Sequence, residues 1–114
     1  MISEPVARQV FAAYGITRPA PGSYELDYLI TPALGGDDNI RNFWPQPYGI
    51  TVWNAHLKDA LEDHLYRLVC EDRLDLRTAQ RDISRDWIQA YKKYFQTAQP
   101  LPEHSTYLKD QPWE

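Results

Sequence analysis

Residues 24–30 set Tyr24, Leu26 and Tyr28 in alternation with Glu25 and Asp27, which is the period-two pattern of a strand with one face buried. Asp27 falls near its end. Gly35-Gly36-Asp37-Asp38-Asn39 then forms a dense turn signal, because glycine reaches positive φ without a clash and Asp or Asn side chains bond the turn backbone. The chain must reverse there. Phe43 and Trp44 read as a second strand, ended by Pro45-Gln46-Pro47, and a loop through Tyr48-Gly49 leads to Asn54. Beyond Asn54, Leu57, Leu61, Leu65 and Leu68 recur at spacings of three and four, so a helix over about 54–70 follows with Asn54 as its N-cap. Strand, turn, strand and helix in this order restrict the fold to an α+β arrangement.

The flanks are helical. Ser3 is a fair N-cap with Pro5 just inside, and Val6, Ala7, Val10, Phe11 and Tyr14 form an apolar face that Gly15 terminates. Residues 17–22 hold two prolines and read as an extended linker. Asp75 caps a single C-terminal helix over about 76–95, with Ala79, Ile83, Trp87 and Tyr91 every four residues and Ile88, Tyr94 and Phe95 widening the stripe. Residues 97–114 read as an irregular, proline-containing tail without a core of its own, in which His104 is solvent-exposed and Trp113 docks on the domain or a partner. Residues 1–96 form one domain, since 114 residues with 43% hydrophobic and 13% aromatic content fill one modest core.

A formal net charge of −4 argues against a chain held on nucleic acid by bulk electrostatics, because Lys and Arg neutralisation of phosphates dominates such affinity. Any nucleic-acid contact is local. Arg41 and Lys58 are its candidates, with Arg67, Arg73 and the row Arg77, Arg81, Arg85, although Asp75, Asp82 and Asp86 make that row read as a solvated mixed-charge face. No apolar run approaches the roughly 20 residues of a membrane span, and the polar residues among the first 14 do not suit a signal peptide. The chain as written reads as cytoplasmic, or as exported if it is the trimmed form of a longer precursor. Cys70, in line with Leu65, Leu68 and Val69, reads as a buried inert thiol.

A carboxylate at a strand end, Asp27, and an imidazole in a helix's first turn, His56, form a plausible half-site for a divalent cation, as both are common ligands on fixed elements. Each also has a plainer reading. Asp27 suits a solvated strand end, His56 a surface position, Asn42 a structural bond, and Tyr28 a packing role, because tyrosine favours strands and buries apolar area while its hydroxyl stays wet. His64 lies two turns from His56, about 12 Å along the axis, so it does not complete the same site.

The order Asp27-Tyr28, Leu34-Gly35-Gly36, Asn42-Phe43-Trp44-Pro45, then Asn54-Ala55-His56 with Lys58-Asp59 resembles the HNH nucleases, the ββα-metal or His-Me finger group. The likeness runs over residues 8–95 and includes Leu65-Tyr66-Arg67-Leu68-Val69-Cys70, Leu74-Asp75-Leu76 and Asp86-Trp87-Ile88. It implies a small helix-rich α+β domain with a ββα finger at about 23–70. It also implies Asp27 and His56 as ligands of a divalent ion (Mg, Mn, Ni or Zn), Asn42 as the brace of the finger loop, and a general-base histidine where this chain has Tyr28. A phenol titrates near 10 and an imidazole near 6.5, so tyrosine accepts a proton poorly at neutral pH. General-base catalysis is worth about 100-fold to 10,000-fold. A glutamate of the resembled pattern is also replaced, by Ala33.

Three readings follow. The first is a degenerate nuclease that keeps the fold, and with it a metal or nucleic-acid grip, but turns over slowly or not at all. The second is a working divalent-metal-dependent endonuclease in which metal-bound hydroxide, Tyr28 or another group replaces the base. The third is a protein-interaction module that has reused the scaffold and binds a protein partner through its aromatic surface and tail. Retention of Asp27, Asn42 and His56 favours the first, Tyr28 disfavours the second, and the acidic net charge favours the third.

Overall fold

In the computed structural model, which describes residues 4–19, 22–47 and 51–109, two antiparallel strands lead into three consecutive helices. Ser3, the Tyr48-Gly49 loop and Trp113 lie outside the described residues. Helix α1 spans Glu4–Ala13, strand β1 Tyr24–Tyr28, strand β2 Phe43–Pro47, and helix α2 Ala55–Cys70. Helices α3, Leu76–Arg85, and α4, Trp87–Phe95, complete a small α+β domain of four helices and one two-stranded sheet. Among the described residues no helix is long and apolar enough to cross a membrane.

β1 and β2 pair so that Asp27 lies opposite Trp44 and Tyr28 opposite Phe43. β2 does not end at Pro45 but runs on through Pro47. In a two-stranded sheet every strand is an edge, and an edge tolerates residues that cannot donate a ladder bond. Between the strands, Gly35 takes φ +85°, and a Cβ on Gly36 would collide with the Ile30 carbonyl. The turn therefore needs glycine for two separate reasons, a left-handed conformation and a close backbone approach.

The core joins Leu57, Leu61 and Leu65 of α2 to Ala79 and Ile83 of α3, Trp87, Ala90 and Tyr91 of α4, and Leu34 below the turn. Asn54 caps α2, its side-chain oxygen accepting from the His56 and Leu57 amides. The single helix expected over 76–95 is instead two. Asp86, at φ −162° and ψ 91°, closes α3 and caps α4 by accepting from the Gln89 amide. Aspartate is a strong cap and a weak helix former, so the break occurs where the chain supplies its own new start. Ala79, Ile83, Trp87 and Tyr91 are buried on both sides of it.

Two further expectations are corrected. Cys70 is exposed at the last turn of α2, because the helix end carries it past the leucine stripe. His104 is half-buried and belongs to a docked segment: a 3-10 turn at Pro102–His104 sets residues 101–109 against α2 and α4.

Candidate functional site

β1 delivers Asp27 to α2. The carboxylate is 4% exposed, and its Oδ2 lies 2.9 Å from the Nζ of Lys58. The same ammonium donates to Glu62 Oε2 at 2.8 Å, one helical turn along α2, and to the Tyr28 carbonyl at 2.7 Å. Lys58 and Glu62 are each 1% exposed. Burial works against the lysine's charge, but Asp27 and then Glu62 outweigh it and hold the ammonium's pKa well above its ordinary value. Lys58 is thus a permanent internal cation and does not present to a nucleic-acid backbone.

Tyr28 turns away from that contact. Its ring tilts against Phe43 at 4.7 Å between centroids, and its hydroxyl donates to Asp38 Oδ1 at 3.0 Å. The hydroxyl is thus engaged as a donor on the loop between the strands and not at the Asp27 contact.

Asn42 ties the loop between the strands. Its side chain accepts from the Ile30 amide at 2.9 Å and donates to the Ile30 carbonyl at 2.9 Å and the Asp37 carbonyl at 2.8 Å. Its own carbonyl accepts from the Leu29 amide at 2.7 Å. Neighbouring Arg41 is exposed and lines an open groove of 510 Å³ between this loop and α3, together with Asn39, Gln80 and Ser84.

His56 is held from the other side. Its Nδ1 lies 2.8 Å from the carbonyl of Tyr107, and since a carbonyl can only accept, that nitrogen carries the proton. Tyr107 also donates its hydroxyl to Asp63 Oδ2 at 2.6 Å. Lys109 lies 3.6 Å from Asp59 and pairs with Glu62. His56, Asp59 and Asp63, at i, i+3 and i+7, form one stripe of α2, and the C-terminal segment lies along it.

The structure therefore joins Asp27, Lys58 and the Tyr28 carbonyl in one buried contact, while Asn42 serves the loop and Tyr107 holds His56. Glu62 was legible as the i+4 partner of Lys58. Nothing periodic marks Tyr107 or Lys109. For a divalent ion the donors fit unequally. The His56 tautomer suits a ligand, whose second ring nitrogen commonly donates to a carbonyl. Asp27 does not fit, because an ion on Oδ2 would stand beside an ammonium already 2.9 Å away. Among the described residues no group of three or more His, Cys, Asp or Glu side chains is placed to hold a metal ion.

No protein-family model, curated protein or solved structure matches the chain.

Proposed function

We propose that the chain is an HNH-like ββα scaffold that does not hydrolyse phosphodiester bonds and acts by binding duplex nucleic acid. The pairing of Lys58 with Asp27 carries the catalytic half of this reading: the carboxylate that the resemblance gives to a metal holds a fixed ammonium instead. The adjacent residue is a phenol tied to Asp38, so neither a charged metal partner nor a base stands at the strand end. The order β1, Asn42-tied loop, β2, Asn54-capped α2 supports the scaffold assignment.

The binding half rests on the groove beside the loop. Arg41 lies on one wall, and Gln80 and Ser84 of α3 on the other. Arg77, three residues before Gln80, and Arg81, three before Ser84, border that wall. All three arginines are exposed. Asp37 also lines the groove, its carboxylate accepting from the Asn39 amide, and the aspartates in and beside α3 are tied locally. Asp75 accepts from the Thr78 amide, Asp86 from the Gln89 amide, and Asp82 from Lys93 and Tyr94, so Lys93 offsets the charge of Asp82. The groove lining contains no aromatic ring, which favours a duplex backbone over the stacked bases of a single strand.

Fluorescence anisotropy with a labelled DNA duplex at several salt concentrations, beside a plasmid-nicking assay with divalent metals, tests the proposal. Binding should weaken with salt, and each of Arg41→Ala, Arg77→Ala and Arg81→Ala should lower the logarithmic salt slope by about 1, without nicking by the wild type. Arg73→Ala, whose partner is Glu71 outside the groove, should change nothing. Nicking that His56→Ala abolishes, or binding indifferent to the arginines, would overturn the reading.

A further inference from the structure

The C-terminal segment covers the same helix that carries His56, and a hydrogen-bonded knot around Tyr91 ties its start to α4 beside the bonds that Tyr107 and Lys109 make to α2. Tyr91 of α4 is fully buried. Its hydroxyl oxygen accepts from the Leu101 amide at 3.0 Å, and the hydroxyl lies 2.6 Å from His104 Nδ1. Among the described residues Nδ1 is the one acceptor within reach of the hydroxyl's single proton, so that proton is satisfied only when Nδ1 is unprotonated, as it can be in the neutral ring. The His104 ring also packs on Phe95 at 4.7 Å and edge-on to Tyr107 at 5.8 Å. Tyr107 in turn supplies the carbonyl on His56 and the hydroxyl on Asp63. The knot and the cover are three residues apart on one short segment.

We propose that residues 101–109 are a strap, latched over the His56, Asp59 and Asp63 stripe of α2 by neutral His104 and released when that ring takes up a proton. An imidazolium carries N–H groups at both nitrogens. It would drive a second donor into the Tyr91 oxygen and leave the buried hydroxyl proton without an acceptor, a loss of the costly kind.

The groups around His104 do not all act in the same direction. From α4 come Tyr91 and the neutral Phe95. From α2 comes His64, whose ring lies 4.7 Å from the same Phe95 and whose charge, once acquired, opposes that of His104. Asp63 of α2, to which the Tyr107 hydroxyl donates, is an anion that favours the imidazolium from behind that hydroxyl. On the strap, Glu103 alone favours the imidazolium, and burial outweighs it, so the pKa of His104 lies below the ordinary histidine value. The sign follows. A histidine whose docked pKa is lowered contributes docking strength that is complete above its free value near 6.5 and is lost as pH falls below it.

Release would uncover His56 and its acidic neighbours and free Lys109 from Glu62 and Asp59. The strap thereby controls access to the α2 face of the proposed scaffold, and in assigning it that role this inference rests on the proposed function. Its own geometry does not depend on whether the chain cleaves anything.

Hydrogen–deuterium exchange of the full chain between pH 7.5 and 5.0, corrected for intrinsic rates, tests the latch. Protection of residues 101–109 should fall below about pH 6.5 by up to tenfold per pH unit, while α4 stays protected. His104→Gln accepts the same Tyr91 hydrogen bond but does not titrate, so it should keep the strap protected across the range. Equal protection of the wild-type segment at both ends, or the same acid loss in His104→Gln, would overturn the proposal. Simultaneous loss of protection in α4 would also overturn it, as unfolding rather than release. The nicking and duplex-binding results are separate readouts, so failure of the strap and failure of the proposed function are distinguishable.

Discussion

The Lys58 ammonium lies 2.9 Å from the Asp27 carboxylate, with Glu62 at 2.8 Å on its other side, all but removed from water. Breaking such a buried arrangement by removing one partner leaves an uncompensated charge, at a cost of about 3–5 kcal/mol. Lys58→Met should therefore destabilise the domain by that amount in urea unfolding. The triple variant Asp27→Asn, Lys58→Met, Glu62→Gln should recover most of the loss, because the buried contact then holds no charge and Lys109 keeps Asp59. A Lys58→Met loss below about 1 kcal/mol would show that the pair is solvated.

Asn42 satisfies two backbone carbonyls and one amide across the loop. These bonds are part-buried or exposed, and a hydrogen bond of that kind is worth about 0.5–1.5 kcal/mol net, so Asn42→Ala should lower unfolding stability by roughly 1–3 kcal/mol, and Asn42→Asp by less because it keeps an acceptor for the Ile30 amide. Equal stabilities of Asn42→Ala and wild type would remove Asn42 from the loop's support.

Asp82 is pulled upward in pKa by burial, but the Tyr94 hydroxyl and then Lys93 prevail and hold it below its ordinary value. A lowered carboxyl contributes stability that is present above the unfolded value of 3.8 and is lost as pH falls through the folded one. Tyr94→Phe should thus cost about 1 kcal/mol at pH 7 and distinctly less at pH 3. A cost independent of pH would indicate packing rather than the hydrogen bond.

What the sequence makes legible here is local. The alternation around Asp27, the glycine turn, and the Asn54 cap ahead of the leucine stripe all lie within a few residues of the element they define, and β1, β2 and α2 follow from them. The break at Asp86 escaped because a period of four continues through it, from Ile83 to Trp87, and burial of the stripe does not require one unbroken helix. The pairing of Asp27 with Lys58 needed β1 to approach α2, a tertiary fact, although the four-residue spacing of Lys58 and Glu62 was visible. His104 and Tyr107 act singly, with no repeat to mark them, so a segment that reads as irregular tail carries the contacts that cover His56.

The most direct measurement of the central claim, that Asp27 is committed to Lys58 and not to a metal, is divalent-dependent nicking of supercoiled plasmid by Tyr28→His. Supplying an imidazole restores the base alone, which in an otherwise intact site is worth about 100-fold to 10,000-fold. The account predicts that Tyr28→His stays as inert as the wild type with magnesium, manganese, nickel or zinc, because the carboxylate beside the new base still holds an ammonium. Cleavage restored by two or more orders of magnitude, and lost again in Tyr28→His with His56→Ala, would contradict it.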